Sequence, residues 1–393
     1  MSEIKVNSIK GVGASAAAIT INNTDGTCTA NITNNLSNRR LTINGDMRIA
    51  QRGVSSTADG YLIDRFNVFD GSSLDESVTR AQVDVASGTT PYTLGFRKAL
   101  KLTNGNQTSG AQADSNVQIR HKLEAQDIAN SGWNYTSASS FITLQFWVKS
   151  SVAQNFYVYL KTTDGTGQRY AFETGSLTAN TWTKVTNTIA GNSNLTFDND
   201  NGEGLEINIS PYWGTNYTDS GVSLNTWGAY ASGTRTPDFA TTWFTTNDAT
   251  FEITGVQLEV GSHSTNFEFL SFGDELRRCQ RYYQVLVEQT GLGTGANTKV
   301  VVMGVQYNGT VAYAVAQFPV TMRTDPSLDQ NISSDIYLSI GNNGNNGGFD
   351  SFTLARPSPQ TGELSWLSNR LQGGAVWVRT NGQNSKVAFQ AEL

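Results

Sequence analysis

The chain has 393 residues, of which 38% are hydrophobic and 15% charged, and 27 basic against 33 acidic residues give a net charge of -6. This length suffices for two or three domains, and an aromatic content of 10% excludes a disordered chain, because disordered chains are usually highly charged and poor in aromatics. Basic residues form no long block, so the composition argues against a nucleic-acid-binding surface.

The sequence was compared with the patterns of membrane spans, secretory signals and disulfide frameworks. No apolar run approaches the roughly 20 residues that cross a bilayer, and the opening MSEIKVNSIKG lacks the pattern of a secretory signal. The sequence therefore predicts a soluble protein made in the cytoplasm. Cys28 and Cys279 are the two cysteines, so no disulfide framework is expected.

The first segment, residues 1–39, differs from the rest of the chain. Short β-like pieces such as AAAITINNTDGT carry few large apolar side chains to bury. We expect this extended segment to become ordered against copies of itself or a docking partner. The next phrase, LTINGDMRIAQRG (41–53), alternates apolar and polar residues around an Asn44-Gly45 turn, which predicts strands.

Residues 40–271 repeat a period of two, which is typical of half-buried strands. In FITLQFWVKS and NFYVYLKTT every second residue is apolar, and turn-rich pieces such as AGNSN separate such runs. In ATFEITGVQLEV the apolar phase moves by one residue at Gly255, which predicts a β-bulge. The pattern favours a two-sheet jelly-roll sandwich.

One helix and a second β region follow. Residues 272–290 place Leu276, Cys279, Tyr283 and Leu286 near helical spacing, which predicts a connector helix. Its Arg277, Arg278 and Arg281 are expected on a solvated or inter-subunit face. Residues 291–393 are short strands between Gly- and Asn-rich turns, which predicts a smaller C-terminal β-sandwich.

Several phrases in this order resemble the carbohydrate-binding-module-like jelly roll of phage tail fibres and virion structural proteins, particularly those of marine cyanobacterial phages. The first is NGDMRIAQRG followed by Tyr61, Asp64, Arg65 and Phe66. The others are VQIRHKLEAQDI (117–128), FWVKSS (146–151), NDNGEGLEI (199–207), ITGVQLEVGS (253–262), FGDELRRCQRYYQ (272–284), FPVTMRTDPSL (318–328) and the closing AEL. The resemblance covers residues 40–393. One departure is the stretch His263-Ser264-Thr265-Asn266-Phe267, in which similar proteins more often have a proline before the aromatic residue.

The resemblance implies an all-β virion protein without enzymatic activity. It implies a homotrimeric tail fibre, docked on the tail or another virion protein through residues 1–39, whose β domains meet host-surface glycans. Repetition of a weak glycan site on three chains would raise avidity. A purely architectural virion protein, such as a capsid decoration or tail accessory, and a tail-borne glycan depolymerase remain alternatives.

Catalytic signatures are sparse. The two histidines, His121 and His263, lie far apart, and His121 shares a strand face with apolar residues, which favours a packed side chain. No GxSxG, HExxH, paired CxxC or Walker phrase occurs, so no cofactor is expected.

The acidic phrase FDNDNGEGLE contains Asp198, Asp200, Glu203 and Glu206. Its Asp-x-Asp spacing is weakly similar to a calcium loop, but the sixth position is Glu203 where an EF-hand has glycine. A plain turn is the favoured interpretation, ahead of structural calcium at Asp198, Asp200 and Glu203, and of catalysis.

Glycan binding needs aromatic faces with amides and carboxylates nearby. Two candidate platforms satisfy this. The loop platform comprises Tyr212, Trp213, Asn216, Tyr217 and Asp219, and the strand platform comprises Trp147, Tyr157 and Tyr159. Packing against another domain or subunit is the alternative for both.

Overall fold

The structure, a computed structural model, describes residues 6–12, 17–21, 24, 28–30, 39–71, 73–290, 298–341, 346–368, 372–381 and 384–393. The chain is an all-β protein, as predicted, with small helices. Within the described ranges, no helix combines the length and hydrophobicity that crossing a membrane requires. Strands and helices are numbered in chain order.

A short antiparallel sheet comes first in the chain. It contains β1 (Ser8–Ile9), β2 (Ile19–Ile21) and β3 (Cys28–Ala30). The side chains of Val6, Ile9 and Val12 are exposed, so the described part of this segment leaves apolar surface uncovered.

Two large antiparallel sheets then form one sandwich. Sheet A contains, in spatial order, β13 (Thr183–Ala190), β10 (Phe141–Ser150), β16 (Thr250–Val260), β8 (Lys98–Thr103), β7 (Thr79–Asp84) and β4 (Ser55–Ser56). Sheet B contains β15 (Trp227–Ala229), β12 (Gln168–Ser176), β11 (Asn155–Thr162), β14 (Glu203–Trp213), β9 (Asn116–Glu124), β6 (Phe66–Asp70) and β5 (Gly60–Ile63). Their inner faces share one core, in which Phe156 of sheet B meets Phe251 of sheet A with ring centroids 5.0 Å apart.

The strand order is that of a jelly roll. Along the chain β8 lies in sheet A, β9 in B, β10 in A, β11 and β12 in B, β13 in A, β14 in B and β16 in A. Neighbours within each sheet are therefore mostly not consecutive in sequence, as two interlocked Greek keys require. Short helices interrupt the sandwich: α1 (Thr90–Thr93), α2 (Ala125–Ala129) and α3 (Thr242–Thr245).

The predicted bulge at Gly255 is confirmed. Trp147 pairs with Thr254 and Gln145 with Gln257, so two residues of β16 face one residue of β10. Gly255 has φ +67°, a left-handed conformation that favours glycine, and a Cβ there would approach Phe96 to 2.8 Å.

The strand prediction for residues 41–53 is wrong, although its apolar residues are buried. Residues 41–50 form turns, with Asn44 and Met47 at positive φ. The Asn44 side chain accepts from the Ile49 amide at 3.0 Å and donates to the Asp64 carbonyl at 2.9 Å. Two backbone bonds to β16 remain, from the Leu41 amide to the Leu258 carbonyl and from the Val256 amide to the Gly45 carbonyl, but the Asn44 side chain bends the segment out of a continuous strand, which alternation of hydrophobicity alone did not reveal.

The predicted helix is shorter than expected. Helix α4 (Phe272–Gln280) is capped at its N-terminus by Ser271, whose hydroxyl accepts from the Asp274 amide at 3.2 Å. Tyr283 and Leu286 belong instead to β17 (Tyr283–Gln289), which pairs with the last strand of the chain. The aromatic and β-branched residues after Gln280, namely Tyr282, Tyr283, Val285 and Val287, suit a strand, and the long-range pairing with the last strand overrides the local helical spacing.

The last two sheets enclose a second core, which makes the smaller C-terminal sandwich. Sheet C contains β22 (Asn346–Phe349), β21 (Tyr337–Ile340), β25 (Ala375–Thr380), β18 (Val300–Gln306), β19 (Val311–Gln317), β24 (Thr361–Leu367) and β23 (Thr353–Pro357). Sheet D contains β17, β26 (Ser385–Gln390) and β20 (Ser327–Gln330). Phe389 and Val387 of sheet D share this core with Leu364 and Val378 of sheet C.

Candidate functional site

The best candidate site lies on the outer face of sheet B. On β11 the side chains of Phe156, Val158 and Leu160 point into the core, so Tyr159 and Lys161 lie on the opposite face. Tyr159 pairs across the sheet with Asn208, and Asn208 with Arg120. Three central strands therefore place an aromatic, an amide and a guanidinium in one row.

These strands and the loops beside them enclose an open cleft of about 270 Å³, called here the sheet B cleft. It is lined by Phe69, Asn116, Gln118, Arg120, Tyr159, Lys161, Glu206, Trp213, Tyr217, Tyr230 and Arg235. Tyr159 and Trp213 are its least exposed aromatic residues, at 3% exposure each.

A bulge in β14 brings Trp213 to the cleft. Ile209 pairs with Ile119 and Tyr212 with Val117, so Ser210 and Pro211 together face the single residue between those partners. Proline has no amide hydrogen for the ladder and therefore tolerates this interruption. The bulge turns Tyr212 towards the core and Trp213 to the outer face.

The loop after β14 places Arg235 beside the aromatic residues. Gly214 begins this loop where a Cβ would lie 2.4 Å from the Ala113 carbonyl oxygen. The Arg235 amide donates to the Tyr217 carbonyl at 3.0 Å. The Arg235 guanidinium carbon then lies 4.5 Å from the Trp213 ring centroid and 4.8 Å from that of Tyr217, within cation–π range.

Polar groups connect the strands beneath the cleft. Asn208 donates to Glu206 at 3.3 Å and to Gln118 at 3.4 Å, and Gln118 donates to Asn116 at 2.6 Å. Each amide is thereby held in a fixed orientation. Glu206 is acceptor-only when ionised, which suits it to receive hydroxyl hydrogen bonds.

Tyr159 and Trp213, the two least exposed aromatic residues of the cleft, are largely shielded from solvent. Burial, reinforced by the Glu206 carboxylate, raises the pKa of Tyr159 well above its ordinary value, so its hydroxyl stays protonated. The Trp213 ring nitrogen is buried and has no hydrogen-bond acceptor among the described residues. A buried donor of this kind costs about 1–3 kcal/mol when unpaired.

Three of the predicted glycan-binding candidates meet in this cleft, from both predicted platforms. Trp213 and Tyr217 have ring centroids 4.9 Å apart, and Tyr159 lies 6.4 Å from Trp213. Asn216 and Asp219 are exposed on the adjoining loop and do not line the cleft. Asp219 instead accepts from the Gly221 amide at 2.7 Å.

The other three candidates lie elsewhere. Tyr212 is buried and stacks on Phe244, with ring centroids 4.4 Å apart, because of the β14 bulge. Tyr157 is on the correct face but packs edge-on against Phe239 at 5.1 Å. Trp147 belongs to sheet A, so the predicted strand platform is split between opposite sides of the sandwich.

Sequence reasoning missed most polar lining residues as members of a binding site. Gln118, Arg120 and Lys161 follow a period of two opposite the apolar row of their strands, so the signal for one shared face was present in the sequence. Which strands would be neighbours was not. Arg235 and Tyr230 lie in loops whose folding depends on long-range backbone bonds.

The weak calcium candidates are engaged differently. Glu203 forms an ion pair with Lys122 at 2.6 Å, and Asp200 accepts from the Gly202 amide at 2.8 Å, as in a plain Asx turn. Asp198 is exposed. No group of three metal-ligating side chains was found among the described residues.

The NGDMRIAQRG and Tyr-x-x-Asp-Arg-Phe phrases line a contact region between the jelly roll, α4 and the chain's end, called here the junction. Its ion pairs include Arg40 with Glu275, Arg52 and Arg65 with Glu392, and Arg281 with Glu124. The guanidinium carbon of Arg65 lies 3.4 Å from the Tyr282 ring centroid.

The expected solvated arginine face on α4 is therefore wrong for two of its three members. Arg281 donates twice to Glu124 at 2.6 Å, and Arg278 donates to the Arg40 carbonyl at 3.2 Å. Only Arg277 is exposed. A larger cleft of about 710 Å³ beside the junction includes these engaged groups and lacks an aromatic cluster.

His121 is buried at the junction, as predicted. Its ring lies 4.7 Å from that of Phe66, and its Nε2 accepts from the Ile43 amide at 3.3 Å. Burial, with the nearby charges of Arg65 and Arg40, lowers its pKa well below the ordinary value of 6.5.

No protein-family profile and no curated protein matches this chain. Among solved structures, it is similar to the enzymatically active domain of bacteriophage CBA120 tailspike protein 4, at 10% identity and TM-score 0.28, over 56% of this chain and 21% of that one. It is also similar to the N-terminal cellulose-binding domain of Cellulomonas fimi β-1,4-glucanase C, at 11% identity and TM-score 0.26, over 54% and 97%. The N-terminal CBM22 tandem of Paenibacillus barcinonensis Xyn10C matches at 8% identity and TM-score 0.27, over 93% and 100%. Likenesses at this level assign neither a family nor a function.

Proposed function

We propose that this protein binds a glycan in the sheet B cleft and does so without catalysis. The observation that carries the proposal is the grouping of Tyr159, Trp213, Tyr217 and Tyr230 with fixed amides and one carboxylate in an open cleft. Aromatic faces cover the apolar faces of sugar rings, and amide and carboxylate groups bond the hydroxyls.

The arrangement of acidic residues supports binding over hydrolysis. A depolymerase uses two carboxyl groups that flank the scissile bond, about 5–10 Å apart. Glu206 is the single acidic residue among those that line the cleft. We therefore expect no oligosaccharide product from a bound polysaccharide.

A glycan array tests the binding site. Parent protein should bind at least one polysaccharide, and Tyr217→Ala should weaken that binding about tenfold, about 1.4 kcal/mol, because it removes an aromatic face. Trp182→Ala is the matched control. Trp182 is a half-buried aromatic residue beside sheet A, outside the cleft, and its ring has a lysine, Lys149, above it. Absence of any bound glycan, or equal losses in both variants, would overturn the proposal.

We also propose that the protein is a virion component, a homotrimeric tail fibre attached to the tail through residues 1–39. The ordered series of phrases over residues 40–393 supports this role, and the exposed Val6, Ile9 and Val12 would be covered by copies of the chain or by a docking partner. In this role the protein is made in the host cytoplasm and presents its cleft outward.

Sedimentation and adsorption measurements test that role. The full chain should sediment as a trimer, bind host cells and block adsorption of its phage. A folded oligomer that binds no cells would favour an architectural virion protein. A monomer would contradict the proposed fibre.

A further inference from the structure

The charge of the sheet B cleft differs from that of the whole chain. The chain carries a net charge of -6, but the cleft is lined by Arg120, Lys161 and Arg235 against the single carboxylate of Glu206. A cationic surface in an acidic protein raises the local concentration of anions.

The two arginines have no carboxylate partners of their own among the described residues. Arg120 donates to the neutral Asn67 side chain at 2.8 Å, and Arg235 donates to the Ser232 carbonyl. Across the described residues, neither arginine has a carboxylate within ion-pair distance. Their positive charges are thus not neutralised within this part of the chain.

Lys161 has only a distant carboxylate partner. Its nearest carboxylate oxygen, on Glu203, lies 3.9 Å away, whereas Lys122 holds that carboxylate at 2.6 Å. Lys161 instead places its ammonium group 5.1 Å from the Tyr230 ring centroid. The cation therefore lies over an aromatic wall of the cleft.

The three cations come from separate parts of the fold. Arg120 is on β9 and Lys161 on β11, with β14 between them, so the two strands are about 10 Å apart at ordinary strand spacing. The register also offsets Lys161 by two positions from the row that contains Arg120. Arg235 lies in the loop above Trp213 and Tyr217. The positive charge is spread along the cleft beside the aromatics, which suits repeated charges on a polymer.

From this geometry we infer that the cleft selects an acidic glycan, one that carries carboxylate or sulfate groups on its sugars. The inference rests on the proposed glycan-binding function and specifies its ligand class. Guanidinium groups bind carboxylate and sulfate oxygens through paired hydrogen bonds, while the aromatics contact the sugar rings. Glu206 and the amides then bond hydroxyl groups.

The test is an array on which each acidic polysaccharide is printed beside a neutral derivative with the same backbone. Uronic acids are reduced to neutral sugars in one set, and sulfate esters are removed by solvolysis in the other. The protein should bind an acidic member at least about tenfold more tightly than its derivative. Which set shows the difference identifies carboxylate or sulfate as the recognised group.

Charge variants locate the effect in the cleft. Lys161→Gln and Arg235→Gln should each weaken acidic-glycan binding about tenfold, because each removes a charge contact. For the same reason neither substitution should steepen the salt dependence of that binding. Lys149→Gln on sheet A is the matched control and should bind like the parent. Lys161 is half-buried, so its variant keeps the test available if Arg235→Gln fails to fold.

The outcomes separate the two proposals. Equal binding to acidic and neutral partners, lost in Tyr217→Ala, would overturn the acidic preference and leave glycan binding intact. Binding to no printed glycan would overturn both. An acidic preference that Lys161→Gln and Arg235→Gln leave unchanged would place the recognised charge outside this cleft.

Discussion

The junction and the sheet B cleft use the same side chains in opposite ways. Both set arginines against aromatic rings, with Arg52 3.5 Å from the Tyr283 centroid and Arg235 4.5 Å from that of Trp213. In the junction Arg52 also meets a carboxylate, Glu392, at 3.1 Å, but in the cleft Arg235 meets none among the described residues. Arg40, Arg52, Arg65 and Arg281 of the junction have carboxylate partners within the chain, whereas we propose that the arginines of the cleft pair with an external anion.

The difference also explains the most recognisable phrases of the sequence. Gln51, Arg52, Asp64 and Arg65 join parts of this chain: Gln51 donates to the Tyr283 carbonyl at 2.9 Å, and Arg65 pairs with Glu392. These residues, which belong to the phrases that carry the resemblance, form contacts of the junction. The residues that would distinguish one ligand from another lie in the cleft.

The largest expected effect follows from breaking a pair in the junction. Arg40 and Glu275 are both buried, and Glu275→Gln would leave the Arg40 guanidinium without its countercharge. The free energy of unfolding should fall by about 3–5 kcal/mol. Chemical denaturation measures this loss. Glu288→Gln, at an exposed site on β17, should change it by less than about 0.5 kcal/mol.

A second variant would make the cleft resemble the junction. Asn67→Asp would offer Arg120 a carboxylate at the position where it now contacts an amide. We expect acidic-glycan affinity to fall about tenfold, because the arginine is neutralised, while stability changes by no more than about 1 kcal/mol. Asn187→Asp on sheet A serves as control. Unchanged affinity in Asn67→Asp would argue against a role for Arg120.

The smallest effect concerns pH and again separates the two regions. The junction has a buried histidine, His121, and an aspartate with a raised pKa, Asp64, whereas the residues that line the cleft include neither residue type. His121 stays neutral in the folded protein, whereas the unfolded chain takes up a proton below about pH 6.5. The contribution of His121 therefore lowers the free energy of unfolding of the protein by about 1 kcal/mol as the pH falls from 8 to 6.

Asp64 acts in the opposite direction. Burial raises its pKa to about 6 in the folded protein, so protonation favours the folded state as pH falls from 6 towards the ordinary 3.8. As the pH falls from 8 to 6, the contribution of Asp64 raises the free energy of unfolding by about half of the amount that His121 lowers it. His121→Gln should thus gain stability relative to the parent on acidification, and Asp64→Asn should lose it. Thermal unfolding at pH 8 and 6 measures both, and parallel curves for parent and variants would contradict the assignment.

Particular residues show how far sequence alone leads. Period-two alternation predicts the all-β fold, and the phase change at Gly255 predicts the bulge, because both are local patterns. The same reasoning assigned strands to residues 41–53 and helix to Tyr283, where long-range bonds to Asp64 and Gln390 decide the structure.

For the same reason, only part of the candidate site could be predicted from the sequence. Tyr159, Trp213 and Tyr217 were identified by type, but Tyr212 is turned away by a bulge at Ser210 and Pro211 that alternation did not reveal. Trp147 and Tyr159 lie on consecutive strands that belong to different sheets, as the crossovers of a jelly roll require. Strand adjacency is a property of topology, which side-chain periodicity does not encode.

The most direct test of the central claim is a crystal structure of the protein with an oligosaccharide from the glycan that binds it most tightly. We predict a sugar ring over Tyr217 and an acidic group within hydrogen-bond distance of Arg120, Lys161 or Arg235. A sugar bound on the outer face of sheet A, or against the C-terminal sandwich with the cleft unoccupied, would contradict it.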